Sequence, residues 1–122
     1  EVFTDDYVFD SGVGNGGPKQ GKDVIIPAQK QRMGRWRRTH HQLGQSRIEF
    51  DGPDKAHGVT YVIAWHENWE GGVCTGRLRY VDEFVRQDGR WLISRREIVE
   101  LGTEGVPERT WNPLDRKKPE GR

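Results

Sequence analysis

The alternation of apolar and polar positions divides the chain into a few long strands. Residues Val2 to Asp10 mix β-formers with acids and stop at Ser11-Gly12-Val13-Gly14-Asn15-Gly16-Gly17-Pro18, whose glycines resist regular structure. A first strand and then a loop are expected. From Gly21 to Met33 the positions Val24, Ile25, Ala28 and Met33 suit a short helix, with Pro27 tolerable only near its first turn. Trp36 to Phe50 is a long segment closed by the turn Asp51-Gly52-Pro53-Asp54. Ala56 to Trp69 reads as a second long strand, and Glu70-Gly71-Gly72 turns it. Gly76 to Arg86, the turn Gln87-Asp88-Gly89-Arg90 and Trp91 to Leu101 form a β-hairpin, because Asp-Gly favours the positive φ angles of tight turns.

Within the hairpin, Leu78, Tyr80, Asp82 and Phe84 alternate with Arg79, Val81, Glu83 and Val85. Leu92, Ser94, Arg96 and Ile98 alternate with Trp91, Ile93, Arg95 and Val99. Apolar residues thus occur on both faces, and one helix cannot cover both. After Gly102 the sequence turns to Pro, Gly and charge, which bury little, so a domain over 1–101 with a peripheral or disordered tail over 102–122 is expected.

Composition narrows the class. A chain of 122 residues encloses one core, and its five Trp, three Tyr and four Phe make that core aromatic. With 20 Lys and Arg against 19 Asp and Glu, no overall charge draws the protein to nucleic acid or to a membrane surface. Arg35-Trp36-Arg37-Arg38 is a local exception, read as a solvated turn. The single Cys74 excludes an intrachain disulfide, and a cytoplasmic compartment fits. No run approaches the roughly 20 apolar residues that span a bilayer. No His-x-His or His-x-x-x-His spacing occurs, so no metal site is expected. The glycine run lacks a following Gly-Lys-Ser/Thr, so it is read as a surface or rim loop.

Thr39-His40-His41-Gln42-Leu43-Gly44, the Asp51-Gly52 turn, Tyr80-Val81-Asp82-Glu83-Phe84-Val85-Arg86-Gln87-Asp88-Gly89-Arg90-Trp91 and Ser94-Arg95-Arg96 together resemble the SnoaL-like, nuclear-transport-factor-like superfamily that includes scytalone dehydratase. The resemblance implies an α+β fold, a single cone-shaped half-barrel whose strongly curved mixed or antiparallel sheet packs on helices. It also implies that N-terminal helices closing the cone are missing from this chain. By the same resemblance His41 takes the place of the general base, His66 that of a second pocket histidine, and Arg96 that of an arginine lining the dehydrochlorinase pocket. An aspartate on the early helices pairs with the base in these enzymes; Asp5, Asp6 and Asp10 are weak stand-ins.

A neutral imidazole can remove a carbon-bound proton near physiological pH, which suits His41 to elimination chemistry. His40 points to the opposite face of a regular strand. The catalytic set is therefore His41, His66, Tyr80 and Arg96, with Trp65, Asp82, Phe84 and Ser94 as substrate-binding residues. Each has a plain structural role to compete with: a sheet hydrogen bond for His41, a solvated strand end for His66, an ion pair for Arg96, a core position for Trp65. The expected activity is that of a cofactor-independent lyase of dehydratase type, or an isomerase, acting on a small hydrophobic cyclic molecule. A non-catalytic ligand-binding or oligomerisation module is the rival, and an oxygenase small subunit, which needs a metal-bearing partner chain, ranks third. The expected partners are a hydrophobic small molecule and a second copy of the chain, met through an outer face of Val81, Val85, Trp91 and Ile93, in a homodimer or larger homo-oligomer.

Overall fold

The computed structural model describes residues 2–106 and 110–121. Its elements are β1 (Phe3–Asp10), a 3-10 turn (Val13–Asn15), β2 (Pro18–Gln20), α1 (Lys22–Met33), β3 (Trp36–Phe50), β4 (Lys55–Asn68), β5 (Val73–Gln87), β6 (Arg90–Glu104) and β7 (Asn112–Pro113). They build one mixed, unclosed sheet of order β2-β1-β6-β5-β4-β3, with β7 also on β6. The meander β3 to β6 is antiparallel, whereas β1 and β7 run parallel to β6. Register breaks at Leu43/Ser46, Arg77/Leu78 and Glu83/Phe84 bend the long strands, as bulges do.

The β5–β6 turn has φ of 52° at Asp88 and 74° at Gly89, the conformation that Asp-Gly supplies. Pro27 falls in the second turn of α1, beyond the first turn that the sequence reading allowed it. Only Ile25 of that helix is buried, so among the described residues the helix covers little of the sheet. The consequence is visible on β3, where every residue after Trp36 is exposed, Leu43, Ile48 and Phe50 included.

Cross-strand partners share a face. The registers therefore place Val62 and Ala64 of β4, Leu78 and Tyr80 of β5 and Ile98 of β6 on one face, here called inner. Val62, Ala64, Leu78 and Ile98 form the buried cluster, and Phe9, Tyr80 and Trp111 pack against it. Leu43, Ile48 and Phe50 continue this face across β3. The polar tail thus contributes one large aromatic to the core through Trp111, followed at once by the pairing of β7 with Val99 and Glu100.

The bulge after Ile93 corrects the expected outer face. Phe84 pairs with Ile93 and Arg86 with Trp91, so both apolar residues turn inward. Trp91 meets Phe50 edge-on at 5.7 Å between ring centroids. The outer face instead exposes Tyr61, Ile63 and Leu101 around a depression of about 290 Å³.

Candidate functional site

The register of β3 against β4 sets His41 opposite Ala64 and Thr39 opposite His66, so both imidazoles project from the inner face on neighbouring strands. Their Nε2 atoms lie 3.0 Å apart, one donating to the other, and the rings meet edge-on. Trp36 also packs on His66, with ring centroids 4.8 Å apart. His66 is half-buried, while His41 stands exposed at the rim. Partial burial, then the neighbouring charge of His40, lowers the pKa of His41. Burial, then the charge of His41, lowers that of His66, opposed by the backbone carbonyls of Cys74 and Ala64. Two neutral imidazoles sharing one hydrogen bond are therefore the resting state at neutral pH.

The pH dependence of stability follows from that shift. At pH 7 folded and unfolded chains both carry these imidazoles neutral; on acidification through the ordinary value of 6.5 the unfolded chain takes up protons first, so stability falls. His57, whose hydrogen bond to Asp51 raises its pKa, acts in the opposite sense. An NMR titration of the imidazole resonances should place His41 and His66 below 6.5 and His57 above it. A His41 or His66 midpoint above that value would contradict the neutral pair.

A second polar group lies on the same face. Arg96 donates through Nε to Asp82 Oδ1 at 2.8 Å and through Nη2 to Oδ2 at 2.9 Å. Its guanidinium sits 4.1 Å from the centroid of the Tyr80 ring. Tyr7, fully buried, stacks on Phe3 and Phe9 beside this group. Burial pushes the hydroxyls of both Tyr7 and Tyr80 up, partly offset by the charge of Arg96. Both phenols remain protonated at neutral pH and can donate a hydrogen bond.

These two groups are separate. His41 aligns through Ala64 with Gly76, four residues before Tyr80 in β5, a distance of roughly 13 Å along a strand. Between them lies the apolar floor of Val62, Ala64, Leu78 and Ile98. Phe84 shares the inner face further along, opposite Ala56. Trp65 does not: it pairs with His40 and Thr75 on the outer face, with Arg38 over its ring at 6.0 Å. Ser94 sits at the bulge, where its Oγ donates to the Glu83 carbonyl, and it lines a depression of about 370 Å³ with Asp51, Lys55 and His57.

The carboxylate stand-ins serve elsewhere, Asp5 pairing with Lys22 at 3.0 Å and Asp10 accepting from the Gly12 amide. The hydrogen-bond partner of His41 is an imidazole instead. The basic run, read as a solvated turn, is tied down: Arg37 and Arg38 both pair with the buried Glu67, and Trp36 packs on His66. Trp36, Tyr7 and Trp111 are inner-face residues that the sequence reading missed. Among the described residues no cluster of three or more His, Cys, Asp or Glu could hold a metal ion, and no helix is long and apolar enough to cross a membrane.

The family model of the SnoaL-like domain matches residues 1–97. The chain belongs to the SnoaL-like domain family. No curated protein matches it in sequence. Among solved structures, this SnoaL-like chain is similar to a candidate scytalone dehydratase of Novosphingobium aromaticivorans, with 24% identity over 96% of this chain and 78% of that one, and a TM-score of 0.85. A candidate aromatic ring hydroxylase of the same organism matches at 25% identity over 89% and 77%, TM-score 0.77. A hexachlorocyclohexane dehydrochlorinase, LinA type 2, matches at 20% over 100% and 78%, TM-score 0.74. At such identities the likeness establishes the fold, and this SnoaL-like domain's chemistry has to be argued from its own residues.

Proposed function

We propose that this SnoaL-like domain is a lyase of dehydratase type, or an isomerase, that binds a small cyclic hydrophobic molecule on its inner face. The carrying observation is the contact between the His41 and His66 imidazoles, both with lowered pKa, beside an apolar floor. In this reading His41, its Nε2–H donated to His66, takes a carbon-bound proton on Nδ1; the C–H electron pair becomes the new π bond as the adjacent hydroxyl leaves, and the imidazolium returns the proton to that hydroxyl, so that water is the only by-product. Tyr80 and the Arg96 guanidinium, at the far end of the floor, orient the polar end of the molecule. The substrate itself must exclude water from His41, which is exposed in the free chain. Names of the similar structures, a dehydratase and a dehydrochlorinase, support elimination as the reaction class.

The test is to offer cyclic β-hydroxy ketones to the protein in D₂O and follow them by NMR. Elimination would appear as a new vinyl signal, isomerisation as deuterium incorporation at the position α to the carbonyl. A protein that binds such ketones but catalyses neither change would favour the rival, a ligand-binding module. The apolar outer depression at Tyr61, Ile63 and Leu101 favours self-association as an accompanying property. Sedimentation velocity should show a dimer or larger assembly that Ile63→Lys returns to monomer; a monomeric wild-type protein would overturn this.

A further inference from the structure

We infer that Trp111 and the segment around it form a strap that sets how large a ring system the inner face accepts. This rests on the inner face being the ligand site. Residues after Gly102 were expected to bury little, yet Trp111 packs on the cluster of Val62, Ala64, Leu78 and Ile98. Its ring lies directly over Gly76, where an added Cβ would come within 3.1 Å and 3.2 Å of the ring carbons Cη2 and Cζ3. Gly76 is the cross-strand partner of Ala64, and Ala64 that of His41. The indole therefore stands one strand from His66 and two from His41, and closes the floor on the β5–β6 side.

The segment is held at both ends. Asn15 Nδ2 donates to the carbonyls of Ser11 at 2.9 Å and Thr110 at 3.1 Å, which joins the glycine-rich loop to the strap. Gly12, at φ 102°, leaves no room for a Cβ against the Trp111 backbone. On the far side β7 pairs with Val99 and Glu100, and the Leu114 amide donates to the Glu100 carbonyl at 3.0 Å. The glycine run, which carries no phosphate-loop signature, thus acquires a role as the clasp. An aromatic side chain laid over the sheet from a separate segment is a wall that removal or loosening would open without dismantling the sheet behind it.

The test uses 2-naphthol and the larger 9-phenanthrol as probes, with binding read from the NMR shifts of the His41 and His66 imidazoles. The wild-type protein should prefer the two-ring probe by roughly tenfold or more. Trp111→Ala should reduce that preference to about threefold or less, mainly by tighter binding of 9-phenanthrol. Asn15→Ala keeps the indole but removes the clasp, and should give an intermediate preference; it carries the test should Trp111→Ala fail to fold. Unchanged preference in a folded variant, with both probes still shifting the histidines, would overturn the strap and leave the ligand site standing. If neither probe shifts the histidines in any of the three proteins, both readings are overturned.

Discussion

Replacing His41 with glutamine is expected to reduce elimination or isomerisation turnover by about 10²- to 10⁴-fold, the usual contribution of a positioned general base. Glutamine can still exchange a hydrogen bond with His66 but has no lone pair basic enough to hold the proton. The variant should unfold at nearly the wild-type temperature, because His41 is exposed and its side chain is hydrogen-bonded to His66, a neighbour that stays half-buried. A second readout separates chemistry from damage. The charge of His41 helps to keep the pKa of His66 low, so in His41→Gln the His66 titration should move up toward its ordinary value. Full activity in a folded His41→Gln protein would remove the base from the mechanism, whatever the substrate proves to be.

Asp82→Ala is expected to cost about 3 kcal/mol of folding stability, at the lower end of what removing one member of a buried pair costs. Asp82 is only 3% exposed and accepts both hydrogen bonds of the Arg96 fork. Without it the guanidinium is left against the Tyr80 ring with no carboxylate, while being accessible enough that water relieves part of the penalty. Urea unfolding measures the loss. Replacing both residues, with Asp82→Leu and Arg96→Met, should recover most of it, since no unpaired charge then remains. A loss under 1 kcal/mol in Asp82→Ala would mean that Arg96 is effectively solvated and that the pair does not organise the inner face.

Much of this arrangement was legible from alternation alone. Along Leu78, Tyr80 and Asp82 the period of two is unbroken, so their common face, together with Arg96 and Ile98 opposite them, could be read directly. His41 and His66 owe their shared face to pairing across two strands, which the family resemblance supplied and the residue pattern did not. Where a bulge intervenes the reading fails, since the break at Glu83/Phe84 inverted Trp91 and Ile93. Trp65 was misplaced for a simpler reason: its neighbour His66 took the inner position, and adjacent residues in a strand cannot share a face. Trp111 was hidden by its surroundings, because one aromatic in a stretch of Pro, Gly and charge does not alter the composition, yet one indole suffices to anchor the stretch. The exposure of β3 beyond Trp36 is likewise invisible in Leu43, Ile48 and Phe50, which the bulge after Leu43 brings to one face and whose apolar character alone would predict burial.

The parallel seam between β1 and β6 has a kinetic meaning. The meander from β3 to β6 joins neighbours through short turns and can assemble from local contacts, whereas Phe9 must find Arg96 across most of the chain. Closing that long loop comes late, after the hairpins have built the surface on which β1 docks. Tyr7 rides on β1, so its stack with Phe3 and Phe9 beside Arg96 is expected among the last contacts to form. The histidine pair, on consecutive strands of the meander, is expected to form earlier: contact order predicts that this domain folds its proposed base before the end of the site that would orient a substrate.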